Sequence, residues 1–107
     1  MDDCIFCKIA KHEEPKEFTY EDEDVMVFPD IHPQKPTHLL IIPKKHYYDF
    51  LAMDDELLWT KLKNVAQNMI REFNLVETGF RLSNNGGGGQ LINHFHIHLM
   101  GPTGKAI

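Results

Sequence analysis

Residues 94–100 read His94-Phe95-His96-Ile97-His98-Leu99-Met100, with imidazole and hydrocarbon side chains alternating over the first six places. In an extended chain neighbouring side chains point to opposite faces. His94, His96 and His98 therefore share one face, and Phe95, Ile97 and Leu99 share the other. The hydrocarbon face needs a second layer to cover it, and the imidazole face is left to line a cleft or hold a metal. Same-face residues lie ~6.6 Å apart along a strand, so the outer two histidines are ~13 Å apart. One metal ion can take two neighbours of such a row but not all three, so the row divides between two tasks. Histidine is not a favoured strand residue. The bland alternative is a half-buried strand that merely happens to carry three.

The remaining pattern supplies the layers. Residues 55–73 place Leu58, Leu62, Val65, Ala66, Met69 and Phe73 at a 3.6-residue period, which predicts one long amphipathic helix. Asp54 is its expected N-cap, Asp55 and Glu56 suit the positive helix start, and Asn74 is its expected stop. The helix face is expected to leave some apolar surface exposed. Short strands are expected at 17–20, 25–28, 37–42, 79–83 and 92–100, and a short helix within 3–12 that ends before Pro15. Pro29, Pro33 and Pro36 enforce a loop, and Pro43 stops the third strand. This order predicts an α+β fold: an antiparallel sheet of about five strands packed with one long and one short helix. At 107 residues the chain is read as a single domain, 1–107.

Charge and cysteine narrow the function classes. Eleven basic against sixteen acidic residues give a net charge of −5, which repels a nucleic-acid backbone but does not exclude a small nucleotide. The longest aliphatic run, Leu39-Leu40-Ile41-Ile42, is far short of the ~20 residues of a membrane span. The opening Met1-Asp2-Asp3 is acidic where a signal peptide would be basic, so a cytoplasmic location is expected, with no membrane and no nucleic-acid partner. In a reducing compartment Cys4 and Cys7, spaced C-x-x-C, read as a metal half-site or a redox pair rather than a structural disulfide. Four glycines, Gly86 to Gly89, precede the histidine row. They form either a flexible hairpin loop or a backbone concavity that admits an anion.

His94-Phe95-His96-Ile97-His98-Leu99-Met100 resembles the His-φ-His-φ-His-φ-φ signature of the histidine triad (HIT) family at all seven places. Residues 30–46, from Asp30-Ile31-His32-Pro33 through Pro36-Thr37-His38 to Pro43-Lys44-Lys45-His46, resemble the family's other characteristic stretch. Cys4-Ile5-Phe6-Cys7-Lys8-Ile9 looks like the start of its Hint branch, whose members are homodimeric purine nucleoside phosphoramidases. The Fhit branch cleaves dinucleoside polyphosphates. The resemblance implies a HIT-like fold, a homodimer, and hydrolysis of purine nucleoside 5′-phosphoramidates (AMP or GMP conjugates).

The resemblance also implies roles. His96 attacks phosphorus and carries a covalent nucleotidyl intermediate, one of its ring nitrogens held protonated by a backbone carbonyl. His98 donates to a phosphate oxygen, and His38 sits beside it on the neighbouring strand. Asp30 accepts from ribose hydroxyls and Ile31 flanks the base. Phe6, Ile9 and Phe28 line an apolar base pocket, although core packing explains them nearly as well. Asn85 contacts phosphate or ribose, and Asn84 takes that place if the short glycine loop shifts the register by one. Gly89 and Gln90 offer donors to the phosphate. Cys4, Cys7, His46 and His94 form a structural zinc site, the alternative being two reduced core cysteines beside a surface histidine. The family often carries Ser or Thr where this chain has Leu91, and a leucine cannot deliver a proton to the leaving group. Two rival functions share these residues. One is a metal-dependent hydrolase that ligates a metal through His96, His98 and His38; the other is a non-catalytic nucleotide-binding module.

Overall fold

The computed structural model describes residues 3–105. Five strands form one antiparallel sheet: β1 (Tyr20–Glu21), β2 (Val25–Pro29), β3 (Thr37–Pro43), β4 (Arg81–Ser83) and β5 (Ile97–Gly101). Their spatial order is β1-β2-β3-β5-β4. Two helices complete the α+β arrangement, α1 (Ile5–Ala10) and α2 (Glu56–Glu72).

The helices lie on opposite faces because the central strands have no polar side to show. Val25-Met26-Val27-Phe28 and Leu39-Leu40-Ile41-Ile42 are continuous hydrocarbon, so both sides of the sheet demand cover. Val25, Val27, Leu39 and Ile41 join Leu58, Leu62, Val65 and Met69 of α2 in one core, with Phe95 and Leu99. Met26, Phe28, Leu40 and Ile42 join Phe6 and Ile9 of α1 in a second. The apolar face of α2 is therefore spent on the sheet, and the exposed helix face expected from sequence is absent among the described residues apart from Leu57.

The caps follow their chemistry with one correction. Asp55, not Asp54, caps α2: its carboxylate accepts from the Leu58 N–H at 3.0 Å. That register leaves Glu56 in the positive first turn and turns Leu58 into the core. Asn74 ends the helix as expected, in the left-handed region at φ 58°. Asp55→Ala should cost about 1 kcal/mol and lower the thermal midpoint by ~4–8 °C. Asp54→Ala should stay within ~0.5 kcal/mol; equal losses in the two melts would contradict the cap assignment.

The strand expected at 92–100 shrinks to Ile97–Gly101. Ile41 pairs with Ile97, so Pro43 would face Phe95, and proline has no N–H to extend the ladder. The Phe95 N–H donates instead to the Tyr47 carbonyl at 2.7 Å. The alternation nevertheless survives beyond the ladder. Phe95 and Leu99 lie in the α2 core, whereas His94 and His96 meet the Phe6 ring of α1 edge-on at 5.7 and 5.3 Å. The strand expected at 17–20 is shifted to Tyr20–Glu21, that at 79–83 is reduced to Arg81–Ser83, and the first helix runs only Ile5–Ala10.

Candidate active site

The start of β5 and the segment before it bring His98 and His96 to one wall of a cavity, and His38 on β3 hydrogen-bonds to His98; each of the three imidazoles has its proton placed by a neighbour. His96 is 5% exposed. Its Nδ1–H donates to the His94 carbonyl at 2.7 Å, which leaves the lone pair on Nε2. The Asn84 side-chain amide donates to the His96 carbonyl at 2.9 Å and pins the backbone there. The arrangement places an unprotonated ring nitrogen at the wall of a cavity of about 410 Å³.

His38 and His98 form a second, coupled unit. The Gln34 N–H donates to His38 Nδ1 at 3.0 Å, so the His38 proton sits on Nε2. His38 Nε2–H then donates to His98 Nδ1 at 2.9 Å, and the His98 proton is in turn on Nε2. Burial, reinforced by His96 and His38, holds His98 below the usual imidazole range, against the opposing pull of Asp30. His98 is thus a neutral N–H donor at pH 7, next to His96 with ring centroids 5.0 Å apart.

The rest of the cavity is mostly hydrocarbon. Phe6, Ile9, Phe28 and Leu40 form its floor, with Ile31, 75% exposed, at its rim. Asp30, Asn85, Gly89 and Leu91 complete the lining beside His96 and His98. Its size falls within the ~300–1,000 Å³ of ligand sites. Asp30 accepts from the His32 N–H at 2.8 Å through one oxygen. Its other oxygen lies 3.4 Å from His38 Nε2 and 3.8 Å from His98 Nδ1, so it borders the imidazoles more closely than a role confined to ribose suggests.

Two expectations about the glycine loop, the roles of Gln90 and of the glycine amides, are corrected, while Asn85 stands where expected. Gln90 does not line the cavity: its amide donates to the Tyr48 carbonyl at 3.2 Å and its oxygen accepts from the Gly88 N–H. The Gly87 N–H goes to Asp49 and the Gly89 N–H to the Gly86 carbonyl, so these amides hold the loop closed rather than cradle an anion. The asparagines divide the work, with Asn85 on the cavity and Asn84 on the His96 backbone. Sequence reasoning missed Asp49, which is buried and also accepts from the Leu51 and Ala52 N–H groups. An Asp two residues before a small loop is the Asx-turn signal that would have found it. It also missed Lys16 and His32 on the cavity; His32 stands within the stretch 30–46 without a role assigned to it, and Lys16 stands in no local pattern.

Behind the cavity, Cys4, Cys7, His46 and His94 converge with their donor atoms all within 4.8 Å of one another. His94 Nδ1 lies 3.3 Å from Cys4 Sγ and 3.5 Å from Cys7 Sγ, and His46 Nδ1 lies 3.3 Å from Cys7 Sγ. A tetrahedron with zinc bond lengths has edges of about 3.3–3.8 Å. His94 Nε2–H donates to the Pro43 carbonyl at 2.8 Å, which directs the Nδ1 lone pair at the sulfurs, the tautomer a metal needs. This donor set fits a structural zinc ion. Asp30, His38 and His98 are also close enough to share an ion. There the Gln34 N–H on His38 Nδ1 opposes the tautomer that ligation through Nε2 requires.

A family described as "Scavenger mRNA decapping enzyme C-term binding" matches residues 3–106. An uncharacterized HIT-like protein of Methanocaldococcus jannaschii is 41% identical over 99 residues, covering 91% of this chain and 77% of its own. Protein HitA of Neisseria gonorrhoeae is 41% identical over 104 residues, covering 94% and 97%. Among solved structures, a HIT family hydrolase from Legionella pneumophila superposes with a TM-score of 0.87 at 43% identity, covering 92% of each chain. A histidine triad protein from Clostridium difficile also superposes with a TM-score of 0.87, at 39% identity, covering 100% of this chain and 95% of that one.

Proposed function

The chain belongs to the histidine triad (HIT) family, and from that premise we propose that it hydrolyses purine nucleoside 5′-phosphoramidates through a nucleotidyl group carried on His96. The observation that supports this reading is the fixed tautomer of His96: proton on Nδ1 against the His94 carbonyl, lone pair on Nε2 at the cavity. Nε2 attacks the α-phosphorus; the N–P bond to His96 forms as the P–N bond to the leaving amine breaks. The His94 carbonyl steadies the positive charge that the phosphorylated ring acquires. The His98 Nε2–H donates to a phosphoryl oxygen as its charge grows. The leaving amine takes its proton from solvent, because the side chain at its edge of the cavity is Leu91, hydrocarbon and 94% exposed. Water then attacks phosphorus, the bond to Nε2 breaks, and nucleoside monophosphate leaves.

In this reading Cys4, Cys7, His46 and His94 hold zinc, which would tie α1 to the segment leading into β5 and take no part in the reaction. The exposed outer edge of the sheet at β4, with Phe80 and Leu82 half exposed, supports a homodimer. Free thiols suit a reducing, cytoplasmic setting. Among the described residues no helix is long and apolar enough to cross a membrane.

The test is steady-state hydrolysis of adenosine and guanosine 5′-phosphoramidates, with and without a brief chelator treatment and with the fold followed by circular dichroism. Turnover that survives chelation while the fold persists is the expected result. Immediate loss on chelation with rescue by added metal would favour the metal-dependent hydrolase. Nucleotide binding without turnover would favour the binding module. Either outcome overturns the proposal.

A further inference from the structure

We propose that Lys16 selects the purine, favouring a 6-oxopurine such as guanine over adenine; this rests on the nucleotide reading given above. Lys16 is half-buried, lines the same cavity as His96 and His98, and holds its ammonium 4.6 Å from the centroid of the Phe28 ring. The sheet register fixes how far that is from the reacting end. Phe28 pairs with Leu40 on β3, and Leu40 pairs with His98 on β5, so the three stand in a row across the strands. Neighbouring strands are ~4.8 Å apart, so Phe28 is ~10 Å from His98. Lys16 therefore stands on the Phe28 side of the cavity, and the base of a nucleotide whose phosphorus is held at the imidazoles reaches that side.

The chemistry of a lysine at that end is one-sided. It offers three donors and no acceptor. The edge of guanine that carries N7 and O6 presents two acceptors side by side, and adenine presents N7 beside an N6 amino donor. The ammonium therefore complements a 6-oxopurine and meets a second donor on adenine. The plainer role is that the Lys16 stem covers Phe28 while its charge rests on the ring face. Lys16→Met keeps that stem and removes the ammonium, and Lys16→Arg keeps charge and donors, so a loss confined to the 6-oxopurines separates recognition of the base from cover of the ring.

The experiment is calorimetric titration of GMP, IMP and AMP into the wild type, Lys16→Met and Lys16→Arg. The wild type should bind GMP and IMP at least about tenfold more tightly than AMP. Lys16→Met should bring GMP and IMP to the AMP level and leave AMP within about twofold, and Lys16→Arg, which retains donors, should keep the preference. Equal affinity of the wild type for all three, or an equal weakening of all three in Lys16→Met, would overturn the assignment while leaving the nucleotide reading intact. Failure of every mononucleotide to bind would overturn both.

Discussion

His96→Ala should lower kcat/KM for a nucleoside 5′-phosphoramidate by at least ~10⁴-fold, because it removes the atom that bonds to phosphorus rather than a group that assists it. The cavity should survive the change. Its apolar floor is formed by Phe6, Ile9, Phe28 and Leu40 from other elements, and the Asn84 amide still meets the main-chain carbonyl at position 96. Affinity for the mononucleotide product should therefore stay within a few-fold, and the whole loss should fall on turnover. His38→Ala should be milder, since His38 acts through His98 by a single hydrogen bond at 2.9 Å. Steady-state kinetics with calorimetry on the same preparations checks both statements. A His96→Ala enzyme with more than a tenth of wild-type activity would leave covalent catalysis without support.

Removing metal from the Cys4-Cys7-His46-His94 set should produce the largest change in stability. A ligand present at about 1,000 times its Kd stabilises the fold that binds it by ~4 kcal/mol. For a domain of this size that corresponds to ~15–30 °C in thermal midpoint. The sheet and the α2 core do not depend on the ion, so the stripped protein should melt lower but still cooperatively. Burial in the metal-free chain pushes the Cys7 thiol up to about 11 and holds His94 down at about 4. At pH 7 His94 is already neutral with its lone pair ready, while Cys7 must give up a proton as the ion enters. Zinc affinity should accordingly weaken as the pH falls from 8 to 6. Elemental analysis with melts of the native, chelated and re-zincated protein, and of Cys7→Ser, checks this. No bound metal, together with a melt indifferent to chelator and to zinc, would leave the two thiols as hydrogen-bonded core groups.

What was legible in sequence was whatever repeats with a physical period. The 3.6-residue spacing of Leu58, Leu62, Val65 and Met69 marked the long helix, and the two-residue spacing of 94–99 separated the core face from the imidazole face. Apolar runs at 25–28 and 37–42 marked two strands, and the structure adds that both are buried on both sides. Features decided by pairing across the chain were not legible. The early end of the β5 ladder depends on Pro43 lying opposite Phe95. The turning of Gln90 away from the cavity depends on the Tyr48 carbonyl, 42 residues upstream. The glycine loop was open to two readings, a hairpin loop or an anion cradle, because glycine permits both; Asp49 and Gln90 take up two of its amides. Lys16 stands in no periodic segment, and only the fold of β2 brings Phe28 beneath it.

The most direct measurement mixes enzyme with excess nucleoside 5′-phosphoramidate, quenches within one turnover in alkaline denaturant, where an N–P bond to imidazole survives, and weighs the protein by mass spectrometry with peptide mapping. The mechanism requires a population heavier by one nucleoside monophosphoryl group, lost on incubation with water before quenching and mapped to His96. Product formed with no such population at any time, or the group found on another residue, would contradict it.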